Sequence, residues 1–409
     1  MGSMSGSNPT DPVYLDHAAT TPIRPEVRAA ILPLLDARFG NPSSAHRFGR
    51  EARAALEEAR ERVAGALGAR RREIVFTSGG TEADNLAVLG AWRKAVGSSG
   101  TAGDGAAGAA GSPATSRRAL ACSAVEHKAV LAAVHAAGAE GAEQLILAVD
   151  EDGRLDTGAL DEALAARPVL VSVMWANNEV GTLQPLAEVA ARCRAAGVLC
   201  HSDAVQAFGK VPVRVDEVPA DLVAISGHKI SAPKGIGALY VREGVALEPL
   251  VHGGSQEGAV RPGTENVALA VGLGVAAELA VAEQAREARR LEALRDRLQS
   301  ALCEGIPGLL VNGGGAPRVP QILNVSLPGV DRDALLVLLD LEGIAVSTGA
   351  ACQTGAVEPS HVLTAMGRAF PDHAAIRFSL GRTTTPAEIE RAIEVLPRVV
   401  ERVRAPAHA

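Results

Sequence analysis

Hydrophobic and polar positions follow two patterns that alternate along most of the chain. Short continuous apolar runs, such as 74–76, 169–174 and 222–225, predict strands that are buried on both faces. Between them lie longer segments, such as 49–67, in which apolar residues recur every three or four positions, as in amphipathic helices. From residue 13 to about residue 241 the alternation predicts an α/β fold. Its mostly parallel sheet, of the seven-stranded type, is sandwiched by helices.

The pattern changes near residue 266. A long helix rich in Ala and Arg is predicted to run to about residue 302, and shorter strands and helices follow it. We therefore expect a large domain at 13–265 and a smaller α+β C-terminal domain at 266–409. The interface between two such domains is the default place for a site.

Two segments do not fit either pattern. Residues 1–12 are predicted to be a disordered leader, and 97–116 consist almost wholly of Gly, Ala, Ser and Thr. Such a composition buries too little apolar surface to order itself, so a flexible surface insertion is expected.

Composition excludes several classes of function. The net charge of −7 and the aromatic content of 2% argue against direct nucleic-acid binding. The five cysteines are scattered without a Cys-x-x-Cys pair, which argues against a disulfide framework and a structural metal site. Neither a signal peptide nor an apolar run of membrane-spanning length is evident, so a cytoplasmic protein without a membrane partner is expected.

Polar residues follow five of the predicted strands. These residues are Ser78, His127, Asn178, Asp203 and Lys229. In an open parallel sheet the carboxyl ends of the strands are where ligands bind. A lysine able to form a Schiff base and an aspartate able to keep a ring nitrogen protonated are what a pyridoxal phosphate enzyme needs most. Lys229 by itself fits an ordinary solvated lysine better, so the residues around it decide.

Two of these strand ends have more than one interpretation. The segment 78–81 opens a helix and suits a single phosphate, although an ordinary capped helix start has the same pattern. His127 could stack on a flat ring or carry a proton, or it could cap the helix that follows it.

Two further residues stand out in the C-terminal part. Cys352 lies in a loop of small residues at 347–360, where a thiol can move and can be deprotonated. The other four cysteines fall in predicted strands and helices, where inert packing is expected. Arg377 is flanked by apolar residues and requires a carboxylate, either a structural partner or a substrate.

Together these residues lie in motifs that resemble a known family. The motifs include Tyr-Leu-Asp-His-Ala-Ala-Thr-Thr, Gly-Asn-Pro-Ser-Ser, Thr-Ser-Gly-Gly-Thr-Glu-Ala-Asp-Asn, Glu-His-Lys, Asn-Asn-Glu-Val-Gly, Asp-Ala-Val-Gln, Ser-Gly-His-Lys and Arg-Pro-Gly-Thr. From about Tyr14 to Arg398 the chain resembles a cysteine desulfurase of the NifS/IscS type, in the class V aminotransferase family of fold-type-I pyridoxal phosphate enzymes.

The resemblance implies how pyridoxal 5'-phosphate would be held. Lys229 would form the Schiff base, Asp203 would pair with the pyridinium nitrogen, and His127 would stack on the ring. Gln206 and Asn178 would contact the ring oxygen or the substrate. The phosphate would be held by a set of small and polar groups: Gly80, Thr81, Ser226 and His228, with Thr264 from the partner subunit of a homodimer.

The resemblance also implies the reaction. Arg377 would bind the carboxylate of L-cysteine, and Cys352 would take the sulfur as a persulfide while L-alanine leaves. A sulfur-acceptor protein, either an iron–sulfur scaffold or a thiolation enzyme, would then receive it. Relatives of this kind supply iron–sulfur cluster assembly, tRNA thiolation and DNA phosphorothioation.

Two motifs depart from the usual family pattern. The chain has Gly-Ala-Ala-Cys-Gln where many relatives have Gly-Ser-Ala-Cys-Thr, and Arg-Pro-Gly-Thr where Arg-Ser-Gly-Thr is usual. Neither change removes a group that the mechanism needs. The alternatives are a selenocysteine lyase, a general aminotransferase, or a scaffold that kept the fold without the chemistry.

Overall fold

The computed structural model describes residues 12–100, 118–348 and 359–404. Within these ranges the strands are β1 Val13–Tyr14, β2 Ile74–Thr77, β3 Ala119–Ser123, β4 Glu143–Leu147, β5 Leu170–Ser172, β6 Leu199–Asp203, β7 Leu222–Ser226, β8 Gly237–Val241, β9 Leu310–Asn312, β10 Ile322–Pro328, β11 Ile344–Ala345 and β12 His373–Ser379.

The helices pack on both sides of these strands. They are α1 Pro25–Leu35, α2 Arg47–Leu67, α3 Gly80–Gly100, α4 Lys128–Ala139, α5 Thr157–Ala165, α6 Leu186–Ala196, α7 Val267–Gly305, α8 Arg332–Leu341, α9 His361–Ala365 and α10 Pro386–Arg404.

Seven strands form one central sheet, in the order β2-β8-β7-β6-β5-β3-β4. Only β8 runs antiparallel to its neighbours, so the mostly parallel sheet is confirmed. The parallel strands β2, β3, β5, β6 and β7 all end at one edge of the sheet. The polar residues that follow them are thereby brought to the same edge.

The apolar runs form strands because both faces of the sheet are covered. Along β7, Val223 and Ile225 pack in the core on one face, while Leu222 and Ala224 pack in the core on the other. Successive side chains of a strand point to opposite faces, so a strand that lies between two helical layers needs an unbroken apolar run.

A second, smaller core surrounds the antiparallel sheet β12-β10-β9. The C-terminal half of α7 packs in it together with α8 and α10. Val13 and Leu15 also lie in this core, because β1 pairs with β11. The large domain was expected to begin at residue 13, but the first strand of that range packs in the smaller core.

Helix α7 connects the two cores. Leu273 lies in the large core and Leu298 in the small one. By length and composition alone α7 could cross a membrane, contrary to the expectation that no such stretch exists. Its contacts with α1, α2 and α10 show it as an internal helix of the fold.

Several sequence expectations differ from the structure. Helix α3, expected to end at residue 92, continues to Gly100, so the start of the expected 97–116 insertion is helical. The remaining residues of that insertion, 101–116, and residues 1–11 of the expected leader lie outside the described residues. Cys303 is exposed on α7, so the expectation of inert packing was wrong for it. Strand β9 and helix α10 were not predicted.

Candidate active site

A cavity of about 390 Å³ opens at the carboxyl edge of the central sheet, next to the smaller core. Its lining contains most of the predicted site residues. They are Gly80, Thr81, His127, Asn178, Asp203, Gln206, Ser226, His228, Lys229 and Arg377. Ser78, the remaining strand-end residue, is exposed and is not among the described lining residues.

Lys229 follows β7 in a single 3₁₀ turn, Gly227–Lys229, which directs its side chain into the cavity. Its Nζ donates to the carbonyl oxygens of Ala18 at 2.6 Å and Ala19 at 2.7 Å. Burial, assisted by the positive charge of Arg377, lowers the pKa of Lys229 to about 8. More of the amine is therefore neutral near neutral pH than in an ordinary lysine, as a nucleophilic lysine requires.

Asp203 is the last residue of β6 and is 5% exposed. Its Oδ1 accepts the Val205 N–H at 2.8 Å. Carboxylate oxygens of Asp203 and Asp84 and a ring nitrogen of His127 all lie within 4.8 Å of one another. Burial and the nearby Asp84 raise the pKa of Asp203 to about 7, whereas His127 opposes that rise. A cationic ring nitrogen would stabilise the anionic form of Asp203.

His127 both caps α4 and faces the cavity, so the two interpretations of this residue are compatible. Its Nδ1 accepts the Ala129 N–H at 3.1 Å. A neutral imidazole whose Nδ1 accepts a hydrogen bond carries its proton on Nε2. Burial, followed by the positive charges around it, lowers the pKa of His127, and Asp203 partly offsets this.

The start of α3 forms one end of the cavity. Gly80 packs so closely that a Cβ there would lie 2.8 Å from Val205 Cγ2 and 3.5 Å from Ser226 Cβ. His228 Nδ1 lies 3.2 Å from Thr20 Oγ1, and burial lowers the pKa of His228 to about 4. The positive end of a long helix, small residues and hydroxyl groups together suit an anion.

Arg377, on β12, forms the opposite side of the cavity. Nη1 donates to the carbonyl oxygen of Asn178 at 2.9 Å, and Nη2 donates to Asp16 Oδ1 at 2.7 Å. Its Nε is buried without a hydrogen-bond partner among the described residues. Arg377 therefore has a structural carboxylate partner and one donor that no described residue uses. Gln206 lies nearby, and its Nε2 donates to Ala18 O at 2.9 Å.

Both flanks of the cysteine loop reach this region. Ser347 lines the cavity, and its carbonyl oxygen accepts the Arg377 N–H at 2.6 Å. After the loop, the Ser360 hydroxyl donates to the Glu179 carboxylate, and His361 Nε2 lies 2.9 Å from Glu126 O. Cys352 itself lies outside the described residues.

Comparison with known proteins gives consistent matches. The family model described as aminotransferase class-V matches residues 13–102 and 97–392. A protein named cysteine desulfurase IscS from Dictyoglomus turgidum is 44% identical over 96% of this chain and 95% of its own length. The chain belongs to the class V aminotransferase family, as a cysteine desulfurase of the NifS/IscS type.

Solved structures support the same assignment for this desulfurase. A NifS-like protein superposes with a TM-score of 0.85 at 34% identity, covering 95% of this chain and 99% of that one. DndA from Streptomyces lividans superposes with a TM-score of 0.72 at 40% identity, covering 90% and 99% of the two chains.

Three contributions to the desulfurase site were missed at the sequence level. They are the Ala18 and Ala19 carbonyl groups, the Asp16 carboxylate and the buried Asp84. The first two lie in the Tyr14–Thr21 motif, and the last lies in the Thr77–Asn85 motif. The motifs therefore contained these residues, but the sequence did not show what each of them contacts. Asp16 and its hydrogen-bond partner Arg377, for example, are 361 residues apart.

A larger cleft, of about 580 Å³, lies between α2, β8 and the 255–260 segment. Arginines of this cleft are paired with carboxylates, as in Arg60–Glu257, Arg71–Glu57 and Arg242–Asp221. It lacks the lysine, aspartate and histidine that converge in the smaller cavity, so size alone does not identify the active site. Thr264 is exposed and is not among the described residues that line the smaller cavity.

Proposed function

We propose that this desulfurase binds pyridoxal 5'-phosphate through Lys229 and transfers the sulfur of L-cysteine to Cys352. The observation that carries the proposal is the convergence of Lys229, Asp203, His127 and Arg377 on one cavity. An aldehyde-reactive amine, a buried carboxylate, a flat imidazole and a guanidinium with an unused donor match the four parts of such a reaction.

The described residues fit the cofactor at both of its ends. The close packing of Gly80 on Val205 leaves the first turn of α3 open to an anion, since a larger residue would push the helix start away. At the other end, Asp203 provides one carboxylate oxygen that is already held by a backbone N–H. When bound, pyridoxal 5'-phosphate supplies an electron sink for the substrate α-carbon.

The chain's own groups perform the remaining steps. Arg377 would orient L-cysteine by its carboxylate, and the neutral amine of Lys229 would accept the α-proton and later return it to the α-carbon. The Cys352 thiolate attacks the substrate sulfur, so that an S–S bond forms as the C–S bond breaks. The electron pair of the C–S bond stays with the substrate carbon, which is then protonated and leaves as L-alanine. His127, with its proton on Nε2, is placed to move protons in this sequence.

Product analysis tests this proposal against its alternatives. The loaded enzyme and L-cysteine should give L-alanine and one persulfide per chain without an added 2-oxo acid. An aminotransferase would need that acceptor and would return a 2-oxo acid. A selenocysteine lyase would process L-selenocysteine and leave L-cysteine intact. A scaffold without the chemistry would lack the absorbance band near ~420 nm expected of Lys229-linked cofactor.

The substrate role of Arg377 predicts the effect of Arg377→Lys. A lysine ammonium has its three donors on one nitrogen, so it cannot reproduce the separate directions in which the guanidinium meets Asp16, the Asn178 carbonyl and a substrate carboxylate. We expect kcat/KM for L-cysteine to fall roughly 10- to 100-fold, mostly through KM, the scale of hydrogen bonds to a charged group. Steady-state assays of alanine formation separate the change in KM from the change in kcat.

Two controls make the Arg377 prediction specific. Arg297→Lys changes an exposed pair with Glu390 and should leave KM unchanged. Cysteamine lacks the carboxylate, so any turnover of it should be equally slow in both enzymes. An unchanged KM for L-cysteine in Arg377→Lys would contradict the role.

The lowered pKa of Lys229 predicts how cofactor loading depends on pH. Only the neutral amine attacks an aldehyde, so loading of the apoenzyme should become faster as pH rises and reach half its maximum at about pH 8. Because the charge of Arg377 contributes to the lowered pKa, Arg377→Gln should move the midpoint to higher pH. Stopped-flow absorbance measures both. A loading rate that still rises steeply above pH 9 would contradict the prediction.

The enzyme is proposed to act as a cytoplasmic homodimer in which Thr264 completes the phosphate site of the partner subunit. The exposure of Thr264 in the single chain supports this. Sedimentation of the loaded enzyme, combined with the cofactor dissociation rate of Thr264→Val, tests it.

The sulfur acceptor is proposed to be an iron–sulfur scaffold or a thiolation enzyme. Capture of the acceptor as a mixed disulfide with Cys352 would identify it.

A further inference from the structure

Asp84 is a buried carboxyl group to which the proposed mechanism assigns no part. It lies on α3, one turn after Gly80, is 1% exposed and borders the cavity. Its Oδ1 is buried without a hydrogen-bond partner among the described residues, and the same holds for His201 Nε2. These two unpartnered atoms lie 3.5 Å from each other.

The protons available to this pair can be assigned from its surroundings. His201 is fully buried, and its Nδ1 lies 2.8 Å from Ser172 Oγ. If Nδ1–H donates to that hydroxyl, Nε2 is left as an acceptor. Asp84 is then the group that can supply a proton to Nε2, and doing so would satisfy both unpartnered atoms after a shift of a few tenths of an ångström.

A neutral Asp84 also suits its neighbour Asp203. Two carboxylates within 4.8 Å in a buried site disfavour joint ionisation. Asp203 accepts the Val205 N–H, whereas Asp84 Oδ1 accepts no hydrogen bond from the described residues. The negative charge is therefore better placed on Asp203. The titratable groups near Asp84 are Glu126, His127, His201 and Asp203, and Lys229 lines the same cavity.

We propose that Asp84 is a positioning residue, a neutral carboxylic acid that donates a hydrogen bond to His201 Nε2 and leaves Asp203 as the single anion that would pair with the ring nitrogen of the cofactor. The position of the ring rests on the proposed function, but the protonation of Asp84 concerns the chain alone.

The electrostatics of the neighbouring groups agree with this assignment. Burial raises the pKa of Asp84 with no described group opposing the rise, whereas His127, the Val205 N–H and His201 oppose the raised pKa of Asp203, so the negative charge is better supported on Asp203. Burial also lowers the pKa of His201 to about 4, which keeps the imidazole neutral. Burial raises the pKa of Glu126 well above its usual range, which disfavours a further negative charge beside Asp203.

Infrared spectroscopy of the apoenzyme tests the protonation directly. With aspartate labelled by ¹³C in the side-chain carboxyl, the wild-type chain at pH 7 should show an isotope-shifted carbonyl band of a protonated acid. The labelling separates it from any band of Glu126. A component of this band should be lost in Asp84→Asn but remain in Asp203→Asn, which removes the other buried aspartate of the site. It should also remain in Asp216→Asn, whose carboxyl is exposed and paired with Arg214, and it should disappear as pH rises through about 8. The absence of a labelled band from the wild-type chain at pH 7 would overturn the proposal without any variant.

The loaded enzyme provides the second test. Asp84→Asn keeps a donor for His201 Nε2 and cannot ionise. The cofactor absorbance at pH 7 should therefore be unchanged, and the affinity for pyridoxal phosphate should change by less than about twofold. Asp203→Asn should shift the absorbance. A shift in Asp84→Asn as large as that in Asp203→Asn would show that Asp84 carries the charge and would overturn the proposal. If the wild-type chain binds no pyridoxal phosphate, the proposed function fails while the apoenzyme result stands.

Discussion

Lys229→Ala is expected to leave the desulfurase folded and to reduce alanine formation from L-cysteine by at least roughly 10³-fold, since covalent attachment and proton transfer are both lost. The side chain is only half-buried, and its hydrogen bonds go to the Ala18 and Ala19 carbonyl oxygens, which border the cavity and can bind water. The fold should therefore tolerate the change, while the absorbance of Lys229-linked cofactor disappears.

Two other lysines provide matched controls. Lys234 is exposed and lies five residues further along the chain, so Lys234→Ala should keep the absorbance and the activity. Lys210 shares burial and a pKa lowered to about 8, but it lies beside Arg24 and Glu287 in a separate small cavity. Burial and a lowered pKa are therefore not sufficient for a cofactor lysine.

Borohydride reduction identifies the attachment point without relying on activity. In the wild-type enzyme it should fix the cofactor mass on the peptide that contains Lys229. Label on Lys210 or Lys234, or an unchanged absorbance band in Lys229→Ala, would contradict the role of Lys229.

The ends of the parallel strands were predictable because each depends on local pattern. The apolar run of β7 ends at Ser226, and the run of β6 ends at Asp203. In a parallel sheet that local information also specifies which residues meet, since the carboxyl ends share one edge. This is why Lys229, Asp203 and His127 could be grouped from the sequence.

Contacts between distant segments were not predictable in the same way. Tyr14 and Ala345 pair across the chain, and no local pattern in Val13–Tyr14 indicates that this strand joins the smaller core. The ion pair between Asp16 and Arg377 follows from that pairing, because it carries the loop after β1 to the end of β12.

Helix α10 was missed for a different reason. Its apolar face, which includes Ile389, Leu396 and Val399, is buried at helical spacing and was visible in the sequence. Pro397 lies within the helix, and a proline there predicts a helix break. A helix can nevertheless continue past a proline where the lost hydrogen bond is tolerated. Cys303 was misjudged because a helical position does not by itself specify which face is buried.

Cys352→Ala is expected to separate cofactor chemistry from sulfur transfer. The cofactor should remain bound, because none of the described groups that line the cavity is altered. Sulfur release and alanine formation should fall by at least roughly 10³-fold, since the thiolate that attacks the substrate sulfur is gone. Absorbance, alanine assays and mass analysis of the alkylated persulfide peptide measure the three effects.

Cys303 is the matched control for this prediction. It is exposed, so alkylating reagents can reach it, but burial of part of its surface and the nearby Glu304 raise its pKa and suppress the thiolate. Cys303→Ala should therefore retain activity and the persulfide. Among the described residues on either side of the cysteine, Ser347 is hydrogen-bonded to Arg377 and Ser360 to Glu179. Full sulfur release from Cys352→Ala, or a persulfide found on Cys303, would contradict the assignment of Cys352 as the residue that accepts the sulfur.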